Sequence, residues 1–466
     1  MNSVTKNVTF DQVLDEKLKG KRFPIALMAT LIIVGLLISY SHNSSPAPFI
    51  PYFFDFFQLD PIQDLGLINA SMSVFLIITI PFTFIGTALE MKIGTRKLFT
   101  IAMLLNTIGI LMVFASSGGS YGAYMAGRVI YGAGFGLAIP ALGSAIMKWY
   151  RPKRRTFMTT LNGMFPLLGA LIGYVVFPAV GQSVDNWIFG HGFSGFITLA
   201  VLIIWIIAVR KDVDTIDIAS DEEEYFQVVH PNEIGNPIKW AFGTNQIRCL
   251  IVAFFCDFMM YMYVATILPT WLMYSGGMDE MTATTWAAIA FPAFGVIGVI
   301  IGGVLTNVLG KRKPIILFCQ CLKLVGILVA ALTVDTLGAT GIILGIALFG
   351  LGNGGWMSPM FVVPTETPGT SASKVGAAYS VFMSFGFAAG FIFPIIGGLL
   401  ATSFANSLTA STGITDTAIL GAYGFKWSIF IFGLIHIIAI IAAIALKETG
   451  PGRKKKDTAA AEAPAA

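Results

Sequence analysis

The chain has 466 residues, of which 56% are apolar and only 12% charged, whereas a soluble domain carries about a quarter charged residues. That balance excludes an ordinary soluble protein and makes the lipid bilayer the expected surroundings. The apolar runs are long and unbroken rather than alternating, which excludes a transmembrane β-barrel. The formal charge of +4 is small, no nucleic-acid partner is expected, and the placement of the charges carries more information than their sum.

Residues 1–23 are polar and include Lys17, Lys19, Lys21 and Arg22. The apolar run that follows is long enough to span a bilayer, so it is read as an uncleaved first helix and not a removable signal. About 20 apolar residues cross the hydrocarbon core. On that rule twelve spans are predicted, near 24–56, 65–90, 97–117, 120–147, 156–180, 189–210, 247–275, 282–309, 314–335, 338–362, 372–402 and 424–447. The fold class expected is all-α, with two pseudo-symmetric six-helix bundles at 24–210 and 247–447. Between them lies a polar linker at 211–246 that holds the acidic run Asp221–Glu224, read as a solvated patch; residues 448–466 form a tail.

Basic residues set the orientation. Lys92, Arg96 and Lys97 follow span two, Lys148 and Arg151 to Arg155 follow span four, Lys311 to Lys313 follow span eight, and Arg453 to Lys456 follow span twelve. The alternate loops, such as Ser117–Ser120 and Gly276–Glu280, hold no Lys or Arg. A multi-pass cell-membrane protein with both termini cytoplasmic is expected. The four cysteines, Cys249, Cys256, Cys319 and Cys321, are read as small buried residues; none has a metal or redox spacing.

The two halves resemble one another. Gly86-Thr-Ala-Leu-Glu90 through Gly94-Thr-Arg96-Lys97 aligns without a gap on Gly302 through Gly310-Lys-Arg312-Lys313, 216 positions later. Gly132 and Gly134 pair with Gly350 and Gly352, and Pro51 with Pro269, each 218 positions apart. Gly169, Gly173 and Pro178 pair loosely with Gly386, Gly390 and Pro394. Both halves enter from the same side, so these are parallel repeats, an arrangement common among transporters. The glycines allow close helix approach, and Gly with Pro permits bends.

These motifs resemble those of the major facilitator superfamily over about 24–447. The family's loop between helices two and three is matched by Gly86, Glu90, Gly94, Arg96 and Lys97, with Glu90 in place of the usual aspartate and Thr306 at the second copy. Its fourth-helix signature is matched by Arg128-Val-Ile-Tyr-Gly132-Ala-Gly134. The resemblance implies a central cavity lined by helices one, four, seven and ten. It also implies a cytoplasmic gate at Glu90, Arg96 and Lys97, with Arg312 and Lys313 as its weaker second copy. The fifth-helix signature of drug–proton antiporters is absent, and so are the interior arginines of the nitrate branch in helices two and eight.

Ionisable groups in hydrocarbon cost a few kcal/mol or more, so each requires a partner or a wet cavity. His42, Arg128, Asp257, Lys323 and His436 remain once loop charges are set aside. His42 lies in the polar run Ser39-Tyr40-Ser41-His42-Asn43-Ser44-Ser45, which is read either as the lining of a wet cavity, where an imidazole could titrate near neutral pH, or as a kinked, hydrogen-bonded helix end. Arg128 takes the family's role in proton coupling and contact with helix one, by resemblance. Asp257 shares a helix face with Tyr261 and is read either as a proton carrier or as half of a salt bridge to Lys323. Asn353 and Trp356 in span ten are candidates for hydrogen bonding and an aromatic wall.

The substrate and proton pathway is therefore expected at Tyr40, His42, Asn43, Arg128, Asp257, Tyr261, Asn353 and Trp356. The expected function is secondary active transport of a small solute by alternating access, with an organic anion as substrate, proton coupling, and a single copy of the chain. Efflux of amphiphilic cations is the alternative within that class, with Asp257 at its centre; a non-transporting membrane sensor is the alternative outside it. No metal cluster, cofactor motif or nucleophile is found, so no enzymatic activity is expected.

Overall fold

Proline shapes the first span. Pro46 and Pro48 carry no N–H, so the helix that starts at Arg22 stops at Ser44, and a second helix, Pro46–Phe57, continues beyond a single turn residue. The computed structural model describes residues 10–149, 152–209, 216, 237–368 and 372–450. Among them no strand occurs, and twelve helices are long and apolar enough to cross a membrane. In the first half these are α1 (Arg22–Ser44), α2 (Leu65–Glu90), α3 (Lys92–Gly118), α4 (Tyr121–Leu142), α5 (Gly163–Ser183) and α6 (Trp187–Ala208). In the second they are α7 (Asn245–Gly276), α8 (Glu280–Leu309), α9 (Lys313–Leu337), α10 (Ala339–Glu366), α11 (Ala377–Thr412) and α12 (Thr417–Ala445).

The ends of several spans differ from expectation. The span expected at 24–56 is broken at Ser45, and α6 has a step at Phe193 between Trp187–Gly192 and Ser194–Ala208. Helix α12 starts earlier than 424 because Asp416 caps it, accepting from the N–H of Ala418 (2.8 Å) and Ile419 (3.1 Å). Helix α8 is capped likewise by Asp279. The Thr282 hydroxyl (2.6 Å) and then its N–H (3.0 Å) hold the Asp279 carboxyl below the usual carboxylate range. A helix, Pro237–Gly243, occupies the last part of the stretch read as linker. The acidic run Asp221–Glu224, the basic groups Arg151 and Arg453–Lys456, and most of the linker and tail lie outside the described residues. Cys321 corrects the cysteine expectation: it is exposed on the outer face of α9, while the other three are buried.

The internal repeat carries through to packing. A Cβ on Gly132 would lie 2.6 Å from the Phe75 carbonyl of α2, and one on Gly350 would lie 2.5 Å from the Phe291 carbonyl of α8. Two residues on, Gly134 meets Asn106 of α3 and Gly352 meets Cys319 of α9, so the two copies use the same register against equivalent neighbours.

The two halves meet along α2 with α11 and along α5 with α8. Hydrogen bonds join them on the face remote from the start of α1. Asn69 Nδ2 donates to the Pro394 carbonyl (2.9 Å), Ser73 Oγ to Phe391 (3.1 Å), and Thr402 Oγ1 to Ile62 (2.5 Å). At the rim of the same face the Tyr52 hydroxyl donates to Glu280 Oε2 (2.5 Å), and Gln63 Nε2 donates to Asn406 (2.9 Å). The halves are closed against each other at that face.

Candidate functional site

The break in α1 creates the first cluster. In an unbroken helix the His42 carbonyl would accept from residue 46, which is Pro46 and has no N–H to give. Arg128 Nη1 donates to that carbonyl at 3.2 Å, and Ser45 Oγ at 2.9 Å. The rest of the guanidinium is spent on backbone as well. Nε donates to Ser71 (2.9 Å), and Nη2 to Met72 (3.3 Å) and Asn43 (3.5 Å). The rings of Phe75 and Tyr131 lie 5.0 and 5.4 Å from its centre. Arg128 is 2% exposed, and none of its recorded partners is a carboxylate.

His42 stacks on His191 of α6 at 4.8 Å between ring centroids. Ser45 Oγ lies between them, 3.3 Å from His42 Nδ1 and 2.9 Å from His191 Nδ1. The Tyr124 hydroxyl lies 3.2 Å from His191 Nε2. On the other side the Tyr131 hydroxyl donates to the Ser39 carbonyl (2.6 Å) and contacts Asn43 Oδ1, and Asn106 Nδ2 donates to Ser39 Oγ (3.0 Å). The polar run 39–45 thus finds its partners mainly within the protein: Ser39, Ser41, His42, Ser44 and Ser45 are all at most 5% exposed. These five positions form a packed seam, because Gly169 and Gly173 let α5 press onto Tyr40 and Ser41, while Tyr40 and Asn43 stay partly exposed.

The second cluster lies inside the second half. Asp257 of α7 and Lys323 of α9 form an ion pair with side chains 4% and 0% exposed. The Lys323 ammonium stands 4.4 Å from the Trp356 ring centre. Gln320 and His436 are buried at 0% and 1%, and Asn353 at 2%. Lys323, on a helix expected to be peripheral, is therefore central to this half, and Trp356 is its neighbour rather than a cavity wall.

Between the clusters stands an aromatic group at the junction of the halves. Tyr40 packs edge-on to Phe135 (5.0 Å), while Tyr261 stacks on Phe258 and lies 5.3 Å from Phe291 of α8. The Tyr174 hydroxyl of α5 donates across the junction to the Ala265 carbonyl at 2.5 Å. Of the residues expected to form one pathway, Tyr40, His42, Asn43 and Arg128 are brought together in the first half. Asp257 and Trp356 fall in the second cluster, and Tyr261 lies at the junction.

In the loop motif, Glu90 is 9% exposed and accepts from Thr95 Oγ1 (2.6 Å), while Gly94 takes φ +81°, which favours glycine. Arg96 Nε donates to the Val209 carbonyl at 3.2 Å, and Lys97 is exposed. The second copy replaces its missing acid from a distance: Arg312 makes a two-pronged bond to Glu366 at the end of α10 (3.0 and 2.8 Å) and also donates to the Thr306 carbonyl. The backbone N–H groups of Arg312 and Lys313 donate to Glu448 (2.8 and 3.2 Å).

Sequence reasoning passed over His191 and Tyr124, and took Ser45 only as a member of the polar run. The signal for His191 was its flanking glycines. A Cβ on Gly190 would lie 2.5 Å from Gly181 Cα, and one on Gly192 2.5 Å from Val113 Cγ1, so this turn of α6 is pressed onto α5 and α3.

Twelve spanning helices in two repeated halves, hydrogen-bonded to each other at one face, are the architecture of a membrane transporter. The Major Facilitator Superfamily profile matches residues 32–394, and the chain belongs to that family. A bacterial homologue of the human lysosomal transporter Spinster, solved in an inward-facing and occupied conformation, matches 90% of this chain and 96% of its own, with TM-score 0.69 and 14% identity. Its inward-facing unoccupied form gives TM-score 0.70 and 12% identity, over 91% of this chain and 98% of that one. Among curated proteins, an uncharacterised protein of Campylobacter jejuni is 27% identical over 32% of this chain and 44% of its own length. The mouse "probable small intestine urate exporter" is 22% identical over 54% of this chain and 50% of its own. The chain thus spans about half the length of the curated relatives it matches.

Proposed function

We propose that the protein carries a small organic anion across the membrane by alternating access, coupled to protons. The observation behind this reading is the balance of buried charge. Arg128 is answered by carbonyls and ring faces, whereas Asp257 and Lys323 cancel one another. The intramembrane charge of these two clusters is therefore net positive, and Coulomb attraction in low dielectric favours an anion at the junction beside Tyr40, Asn43 and Tyr261. The mouse relative named for urate export agrees with an anionic substrate. Efflux of cations loses support because its acidic centre, Asp257, already has a partner. The termini are read as cytoplasmic from the basic loops, which makes the closed face the outer one.

The test is thermal stability of the purified protein against a panel of urate, mono- and dicarboxylates, and amphiphilic cations. A ligand at a hundredfold over its dissociation constant stabilises by about 2.7 kcal/mol. Stabilisation by one anion series supports the reading; stabilisation by cations alone overturns it.

A further inference from the structure

We infer that His42 and His191, bridged by Ser45 and ended by Tyr124, form the site that binds the coupling proton. This inference rests on the proton-coupled reading above and assigns that coupling to one place.

The four groups make a continuous chain of acceptors and donors. It runs from Tyr124 Oη to His191 Nε2 (3.2 Å), from His191 Nδ1 to Ser45 Oγ (2.9 Å), and from Ser45 Oγ to His42 Nδ1 (3.3 Å). Tyrosine and serine hydroxyls donate and accept at once, and imidazole is the side chain whose ordinary titration falls near neutral pH. The Ser45 hydroxyl donates to the His42 carbonyl (2.9 Å) and relays a proton between the rings by turning about its C–O bond. On the side of the closed face, Phe49 (5.9 Å from the His191 ring) and Trp187 (6.2 Å from Phe49) cover the His191 end.

The charged and titratable neighbours are known from every element around the pair. Helix α4 presents Tyr124, Arg128 and Tyr131, with Tyr121 beyond Tyr124, and Arg128 acts electrostatically on both rings. Helix α1 presents Asn43 and Ser45, and α2 contributes the Ser71 and Met72 carbonyls that hold Arg128. No carboxylate is among these contacts. Two imidazolium rings 4.8 Å apart beside a guanidinium would repel strongly, so the pair holds one proton at most. That proton has a mechanical consequence. It places a cation beside Arg128, whose Nη1 is bonded to the carbonyl of His42 itself, and pushes the guanidinium off α1. The clamp between α1, α2 and α4 loosens, and the closed face opens. Loss of the proton restores the clamp.

The experiment follows opening of that face by spin-label distance in the full chain in nanodiscs, between Ser183→Cys of α5 and Ser411→Cys of α11, with the four native cysteines replaced by alanine. Both labelled positions are exposed. The expected result is a several-fold rise in the long-distance population as the pH falls from 8 to 4. It should be lost in His191→Asn and in His42→Asn, provided each keeps the wild-type distance at pH 8. His191→Arg, which cannot lose its charge, should be open already at pH 8. A transition that persists in both asparagine variants, or that vanishes in Asp257→Asn/Lys323→Met, overturns this assignment and leaves proton coupling standing with another group. A wild type indifferent to pH also overturns it. Proton coupling itself is judged separately, by whether an anion gradient acidifies dye-loaded vesicles.

Discussion

Arg128 Nη1 donates, at 3.2 Å, to the carbonyl that Pro46 deprives of its helical partner, that of His42. One side chain thereby repairs the break in α1 and ties α1, α2 and α4 together. Lysine cannot reproduce this, since a single ammonium replaces a planar fork that serves several carbonyls at once. Arg128→Lys should cost about 1–3 kcal/mol, because the Ser71, Met72 and Asn43 carbonyls lose their guanidinium donor and the His42 carbonyl keeps only the Ser45 hydroxyl. Adding Pro46→Ala should return part of that loss by giving the His42 carbonyl back an N–H donor. Thermal unfolding of the wild type, the two single variants and the double variant tests the pair. Equal stability of the wild type and Arg128→Lys, or no rescue by Pro46→Ala, would show that the carbonyl repair is unimportant.

Asp257 and Lys323 form the opposite kind of site, one in which the charges cancel. Neutralising one partner strands the other in a low-dielectric interior, which costs about 3–5 kcal/mol, while replacing both by neutral groups is often near neutral. Asp257→Asn alone should therefore lower stability sharply, and Asp257→Asn/Lys323→Met should restore most of it. The recovery is read as monodisperse yield and unfolding temperature. If the double variant is as unstable as Asp257→Asn, the pair does more than compensate charge.

Much of this architecture could be read from sequence, for physical reasons that also mark where reading stops. A bilayer requires long apolar runs, so twelve spans stand out, and the glycines of α4 and α10 recur because both copies need the same backbone approach. The helix break was encoded in Pro46 and Pro48, yet a run read by hydropathy alone passes through it at 24–56. The Asp257–Lys323 pair was legible as one of two alternatives, since each charge needs a partner. His191 was marked only by its flanking glycines: one histidine at the margin of a span carries no periodic signal, and its meaning comes from α1 lying against it. Glu366 is readable from sequence as a residue of the cytoplasmic surface or gate, but its pairing with Arg312, 54 positions away, carries no local signal.

Neighbouring glycines in α8 offer a matched test of helix approach. A Cβ on Gly302 would lie 2.0 Å from the Gly355 carbonyl of α10, whereas one on Gly303 meets only Ser358 Oγ at 3.4 Å. Alanine is otherwise the better helix former by about 1 kcal/mol. Gly303→Ala should leave stability unchanged or slightly raised, and Gly302→Ala should abolish a monodisperse product or lower the unfolding temperature markedly. Similar behaviour of the two would mean that α8 and α10 can separate freely, against the packing described.

The rim bond from Tyr52 to Glu280 crosses between the halves and is exposed enough for water to compete with it. Its net contribution is therefore modest, about 1 kcal/mol at most, which corresponds to a shift of about fivefold between closed and open populations. Tyr52→Phe removes the donor and should open this face more often. Glu280→Gln keeps an acceptor carbonyl and should do so less. Ile68, fully buried beneath the rim on α2, provides the reporter as Ile68→Cys in a background without the native cysteines. Its alkylation by an impermeant maleimide should speed up about fivefold in Tyr52→Phe, within that same energetic bound, and by less in Glu280→Gln. Unchanged rates in both would mean that the α2–α11 bonds at Asn69 and Ser73, with the Thr402 bond to Ile62 just before α2, hold the face shut without help from the rim.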